Sequence, residues 1–410
     1  MSRVKLSGEI FRNKSFLYFW FSSILTAMGD SIFMITLMWL LVQISGSSVI
    51  VGTYILLVTL TKFSFVLFGG AIVDRFSVKR LLIGSAIGRG SILLLLFAVI
   101  STGNPPISFF YVTGVLFGLI DAISEPAGIT FRTRLVPEKH YTQSMSLLMM
   151  AGQAASVVGP ALGALLYALY GAKMAFLLNG IAFFIAAALF LFIIVNDEET
   201  EEKTSSLFAG IKEGFSFFIG APVLAAMAVF AFFANAAVGA VMVSLPFLMK
   251  DLNFGIKGYG WAHTSLAVGS VVAAVIFSLF VIHKPKPYMT LLTCFLQGAS
   301  ILFIGFFSKE LAVLMFLLAM VGFLEAAVNV IAPSVNHALI PPKLFGRVIG
   351  IMVIIMGISE PIAAGTAGFL IEKIGAADVF VWGGSMEMLA AILVFSLPFI
   401  RNFKTAEKTS

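Results

Sequence analysis

The chain is a succession of long apolar runs broken by short polar links, and that pattern leaves few folds open to it. A helix needs about 20 mostly apolar residues to cross roughly 30 Å of hydrocarbon. Twelve such stretches can be read, at roughly 16–43, 48–72, 81–101, 107–129, 143–168, 174–195, 222–249, 259–282, 288–307, 311–332, 348–370 and 378–400. With 60% hydrophobic and 11% charged residues, the chain falls far below the ~25% charge of soluble domains. The expected fold is an all-α integral membrane bundle, with no link large enough to hold a separate enzyme.

The first run, from Phe16 to Val42, exceeds the short apolar core of a secretory leader and leads straight into further spans, so it reads as the first helix. Lys and Arg are strongly biased between the links. One side collects Arg3, Lys5, Arg12, Lys14, Arg75, Lys79, Arg80, Arg132, Arg134, Lys139 and most of the rest. The other has only Lys173, Lys250, Lys257, Lys309 and Lys373. Positive residues stay inside, so both termini are expected in the cytoplasm of a cell whose inner membrane holds the chain. The net charge of +6 expresses this bias, and no nucleic-acid partner is expected. A single cysteine, Cys294, rules out a disulfide framework or thiolate metal cluster. No phosphate-binding Gly-x-x-x-x-Gly-Lys-Ser/Thr loop is present, which argues against direct ATP drive and leaves no cofactor to expect.

The stretch Asn196-Asp197-Glu198-Glu199-Thr200-Glu201-Glu202-Lys203 is the most polar in the chain. It divides the spans six and six: a bundle over 1–196, a linker over 197–213 and a second bundle over 214–410. Two internal matches support duplication. Gly118-Leu119-Ile120-Asp121, continuing to Pro137, parallels Gly322-Phe323-Leu324-Glu325, continuing to Pro341. Gly159-Pro160-x-x-Gly163 parallels Glu360-Pro361-x-x-Ala364-Gly365.

Between the second and third spans lies Gly70-x-x-x-Asp74-Arg75-x-x-x-Lys79-Arg80. This resembles the cytoplasmic loop motif of the major facilitator superfamily of secondary transporters, departing from it at Ser77 and Val78. The segments Lys212-Glu213-Gly214, Leu245-Pro246-Phe247 and Gly258-Tyr259-Gly260, with Arg89 inside the third span, resemble the macrolide-efflux-like branch of the drug:proton antiporters. The resemblance implies two pseudo-symmetric six-helix halves, alternating access and proton-driven efflux of small amphipathic compounds by a monomer. Export of one natural product, siderophore or lipid-like molecule remains open, as do import and a non-transporting sensor.

Ionisable residues inside membrane helices are costly and mark functional or paired positions. Here they are Asp30, Lys62, Arg89, Asp121, Glu125, Glu325, Glu360 and Glu387. Asp30 lies near mid-depth of the first span, a cavity-lining helix by resemblance. It is the leading candidate to carry protons, either alone or in a pair with Lys62 at similar depth that protonation breaks. Asp121 and Glu325 are the secondary proton or substrate candidates. Glu360 beside Pro361 marks a candidate hinge, whereas Glu387 in the last span reads as an acid remote from the pore. By resemblance Glu125, one turn beyond Asp121, pairs with the loop's basic residues to latch the cytoplasmic side. Gly70, Asp74, Arg75, Lys79, Arg80 and Arg89 join it as gating candidates, with Arg89 alternatively neutralising an acid of the first or fourth helix. Gly159, Pro160 and Gly163 resemble the antiporter signature of the fifth helix, where small residues permit close helix approach.

Overall fold

A computed structural model describes residues 10–103, 105–136, 140–194, 215–279, 285–341 and 344–403, which are helical or in turns throughout, without a strand among them. The helices are α1 (Lys14–Ser45), α2 (Ser48–Arg75), α3 (Val78–Ser101) and α4 (Ile107–Leu135), then a continuous Tyr141–Leu191 segment. That segment is interrupted only at Gly171, whose φ of 75° and ψ of 173° are not helical. A positive φ suits glycine alone at low cost, so the expected link around 169–173 contracts to one residue. The two parts are α5 (residues 141–170) and α6 (residues 172–191). There follow α7 (Pro222–Asp251), α8 (Gly255–Leu279), α9 (Pro287–Phe307), α10 (Leu311–Leu339), α11 (Phe345–Ile374), α12 (Ala376–Ser396) and a short α13 (Pro398–Arg401).

Counted with Tyr141–Leu191 as one, eleven helices among the described residues are long and apolar enough to cross a membrane; separating α5 from α6 accounts for the sequence reading of twelve spans. Pro126, Pro160, Pro246, Pro333 and Pro361 all lie inside helices. Each lacks an N–H donor, yet α11 runs unbroken across Pro361. The chain divides into two compact units, one of residues 1–43 and 57–201, the other of 44–56 and 202–410. The polar linker at 197–213 lies outside the described residues.

Each unit is built on close contacts between small residues, and the contacts repeat. In unit 1, α3 meets α6 at Gly90 and Gly180: a methyl group on Gly90 would lie 3.2 Å from the Gly180 carbonyl oxygen, and one on Gly180 would lie 3.3 Å from that of Gly90. In unit 2, α9 meets α12 at Gly298 and Gly384, where a methyl on Gly298 would lie 2.8 Å from the Gly384 oxygen. Gly69 of α2 lies on the Ala122 carbonyl of α4, as Gly269 of α8 lies on the Ala319 carbonyl of α10. Gly118 and Gly322, the pair matched in the sequence, return the contact by lying on Val58 of α2 and Leu266 of α8. Helices that lose no water-driven energy by separating in lipid depend on such backbone approach. Duplication is therefore written in the packing as well as in the sequence.

One end of unit 1 is closed by a core of Phe16, Phe19, Val73, Val78, Phe131, Leu148 and Phe190. Asn13 starts α1 by accepting a hydrogen bond from the Phe16 N–H at 3.1 Å, an N-cap, while its amide donates to the Leu135 carbonyl at 3.1 Å. In unit 2, the first turns of α2 lie against α11, where Ser48 Oγ donates to the Gly368 carbonyl at 2.6 Å and Gly52 packs on Gly368.

These contacts predict a contrast between neighbours. Gly69→Leu forces a side chain into the Ala122 backbone and should cost about 1–3 kcal/mol or more. Gly70→Leu meets open space, since nothing lies within 4 Å of its would-be methyl. Thermal melting of the two variants in detergent checks this, with only the first expected to lose several degrees.

Candidate functional site

Arg89 is flanked by Gly88 and Gly90, and that spacing lets α3 approach two helices around the guanidinium. A methyl on Gly88 would lie 3.0 Å from Ile120 of α4, and one on Gly90 would lie 3.0 Å from Phe184 of α6. Arg89 is only 8% exposed. Its Nη2 donates to Asp121 Oδ1 and, at 2.9 Å, to Ser124 Oγ. Its Nε lies 3.5 Å from Asp30 Oδ1, and its guanidinium carbon sits 5.9 Å from the centre of the Phe183 ring. One base thus joins acids from α1 and α4.

Asp30 is carried into place by the residue before it. Gly29 lies against the ring of Phe183, where any side chain would collide, and its carbonyl accepts a 2.8 Å hydrogen bond from Asn179 Nδ2 of α6. The acid that follows faces Arg89 while its side chain keeps 43% exposure; Asp121 keeps 31%. The base is therefore more deeply buried than either acid. Two carboxylates against one guanidinium leave one negative charge in excess, which a proton on either acid neutralises.

Several expectations change. The base in contact with Asp30 is Arg89, whereas Lys62 pairs with Glu125 at 2.8 Å. Both Lys62 and Glu125 project between α2 and α4, which explains why Glu125 meets Lys62 and not the loop bases. Lys79 does not reach Glu125 either: its Nζ donates to the Leu191 and Ile193 carbonyls at 2.8 and 2.7 Å, where a cation satisfies the end of α6. Arg75 and Arg80 are exposed, and the Asp74 side chain lies outside the described set. Gly159 and Gly163 pack on α1 inside unit 1, near Ser31 and Ile32, with Pro160 buried between them.

In unit 2, Glu325 lines a cavity of about 410 Å³ together with Asn235, Gln297, Asn329, Phe230 and His337. Glu360 is exposed, and its backbone lies about a van der Waals contact from Gly239 of α7. Glu387 is fully buried, at 0% exposure. No group of three or more His, Cys, Asp or Glu able to hold a metal ion occurs among the described residues. Gly29, Ser124, Asn179 and Phe183 were not singled out from sequence. Only the Gly29-Asp30 and Gly88-Arg89-Gly90 juxtapositions could have hinted at them.

The chain matches the family model of the Major Facilitator Superfamily over residues 19–243 and 227–410. It belongs to that superfamily and is a multi-pass membrane transporter, not an enzyme. It is 25% identical over 410 residues to the multidrug efflux pump Tap of Mycolicibacterium fortuitum, spanning 95% of this chain and 97% of the relative. It is 24% identical over 346 residues to the enterobactin exporter EntS of Shigella flexneri, spanning 82% and 80%. Among solved structures it shares the fold of the nucleoside transporter NupG, with a TM-score of 0.79 at 11% identity over 95% of this chain and 100% of the other.

The ion pairs differ in burial and should differ in weight. Lys62 and Glu125 are more exposed than Arg89, so Lys62→Gln should cost less thermal stability than Arg89→Leu. Arg89→Leu leaves two acids facing each other without their base, a loss of about 3–5 kcal/mol. Because protonation removes that repulsion, the deficit of Arg89→Leu should be full at alkaline pH and shrink as pH falls. Melting curves across pH check both size and sign.

Proposed function

We propose that the protein is a secondary exporter of small amphipathic molecules, driven by protons entering as cargo leaves. The Asp30–Arg89–Asp121 cluster carries this reading. It is a buried base holding two acids less buried than itself, with one negative charge to spare. In the outward-facing state a proton taken up by Asp30 neutralises that excess and loosens the hold of Arg89 on α1. In the inward-facing state loss of the proton restores the cluster and readies the site for cargo. Exchange between the states requires a pair that protonation rearranges, and the Asp30 contact, longer than the Asp121 contact, is the one assigned to break.

The kinship with Tap and EntS supports export, though one relative is named for many drugs and the other for enterobactin alone. The reading keeps two repeated six-helix halves over 1–196 and 214–410, cytoplasmic termini and a monomer. It also assigns the Ser48–Gly368 contact of unit 2 to the end that opens when cargo is released. The pairing of Lys62 with Glu125 takes the latching role expected of the loop bases. Gly70, Asp74, Arg75 and Arg80 keep only the gating role that the loop resemblance implies.

Asp30→Asn fixes the acid in a neutral-like state. In vesicles loaded with a panel of dyes and antibiotics, efflux of those the wild type exports should lose its response to an imposed pH gradient, by about tenfold or more, ~1.4 kcal/mol of coupling. Exchange of cargo at equal pH should survive. Full gradient-driven efflux by Asp30→Asn would contradict the assignment, and the panel separates broad drug export from a dedicated one.

A further inference from the structure

The repeated glycines fix which residues of the two units are equivalent, and the equivalence exposes a second site. Arg89 precedes Gly90, the α3 glycine of the α3–α6 contact. Gln297 precedes Gly298, the α9 glycine of the matching α9–α12 contact. Phe183 stands three residues after Gly180, and Glu387 three residues after Gly384. Asp121 and Glu325 each follow the matched glycines Gly118 and Gly322 by three. Unit 1 therefore holds an arginine, its acid and an overlying aromatic ring. Unit 2 holds a glutamine, the matching acid and, in place of the ring, a carboxylic acid.

Glu387 is seated at this spot, with its Cβ 3.1 Å from where a methyl on Gly298 would stand. It is fully buried, and neither carboxyl oxygen has a hydrogen-bond partner in the protein. On the facing side of α9 lie Thr290, Cys294 and Gln297, one stripe along the helix, all buried. Thr290 Oγ1 and Gln297 Nε2 also lack partners. The titratable groups near enough to act electrostatically on Glu387 are Cys294 of α9 and Glu325 of α10; α7, also packed on α12, carries no ionisable residue between Pro222 and Met249. Both bring further negative character when ionised, and neither offers a cation. Thr290, Cys294, Gln297 and Glu325 line the same cavity, so Glu387 stands one layer of side chains behind its wall.

A bare carboxylate buried without cation or donor costs several kcal/mol. The neutral acid needs one acceptor only, and the Gln297 amide can supply a carbonyl to the acid or an N–H to the anion. We propose that Glu387 and Glu325 form a second proton-binding site, internal to unit 2, in which Glu387 holds the proton and Gln297 accommodates either charge state. Transfer breaks the O–H of Glu387 and forms one on the Glu325 carboxylate, so the negative charge moves from the cavity wall to the α9–α12 contact. The exporter then carries an ion-paired site in one unit and a shared-proton site in the other. This rests on the proton-driven reading above only for its use in transport; the protonated carboxyl itself does not.

Infrared absorption spectroscopy of the purified full chain, recorded at each pH against matched buffer, tests the site without any substrate. Stepping the pH from neutral to alkaline, the wild type should retain a C=O stretch of a protonated carboxyl that Glu387→Gln removes. Glu325→Gln should keep that band and shift it. A wild-type spectrum identical to that of Glu387→Gln overturns the proposal. Should Glu387→Gln not fold, an unshifted band in Glu325→Gln overturns it equally. In vesicles Glu387→Gln should change the pH profile of efflux. If no variant or wild type responds to a pH gradient, the export mechanism fails while the spectroscopic result still stands or falls alone.

Discussion

Arg89 is the constraint around which unit 1 is arranged. A guanidinium placed inside a membrane helix must be given acids, or the helix does not insert without a heavy cost. The chain gives it two, from helices that approach because Gly88, Gly90 and Gly29 carry no side chain where α3, α4, α6 and α1 converge. The arrangement is stable enough to organise the bundle, since the base is buried. It is also loose enough to change, since Asp30 is less buried than its base and its contact is long. A site with one excess negative charge answers to protons whatever else it binds, and that is what a proton-driven exporter requires of its core.

Duplication gave the second unit the same skeleton with a different chemistry. The glycine contacts Gly90–Gly180 and Gly298–Gly384 preserve the approach of the peripheral helix to its neighbour. Once the backbone approach is kept, the side chain beside it is free to differ. Arginine became glutamine, and phenylalanine became glutamate. The acid of unit 2 accordingly lacks an arginine, in a cavity lined by Glu325, His337 and several amides.

Much of this was legible from the residues. The span pattern, the Gly118–Gly322 repeat and the intramembrane acids followed from composition and periodicity, and Asp30 and Arg89 were both visible as misplaced charges. Their partnership was not. Lys62 and Arg89 lie at comparable depth, and depth alone cannot say which helix faces which; that depends on glycine contacts scattered through four helices. The loop at 70–80 shows a different limit. Its resemblance drew attention to Gly70 and the bases, yet the close-packed residue is Gly69, and Lys79 serves the end of α6. Glu387 looked peripheral because the last helix is peripheral as a whole, and only the register of α12 on α9 shows that this residue points inward.

The central claim is that cargo binding and the protonation of the Asp30–Arg89–Asp121 cluster are coupled. Proton release on binding measures that most directly. Purified protein in weakly buffered detergent would be titrated with a dye it exports while a pH indicator is followed. The account predicts release of about one proton per dye bound near neutral pH, fading at high pH where the cluster is already deprotonated. Dye binding that releases no proton at any pH, with affinity independent of pH, would contradict it.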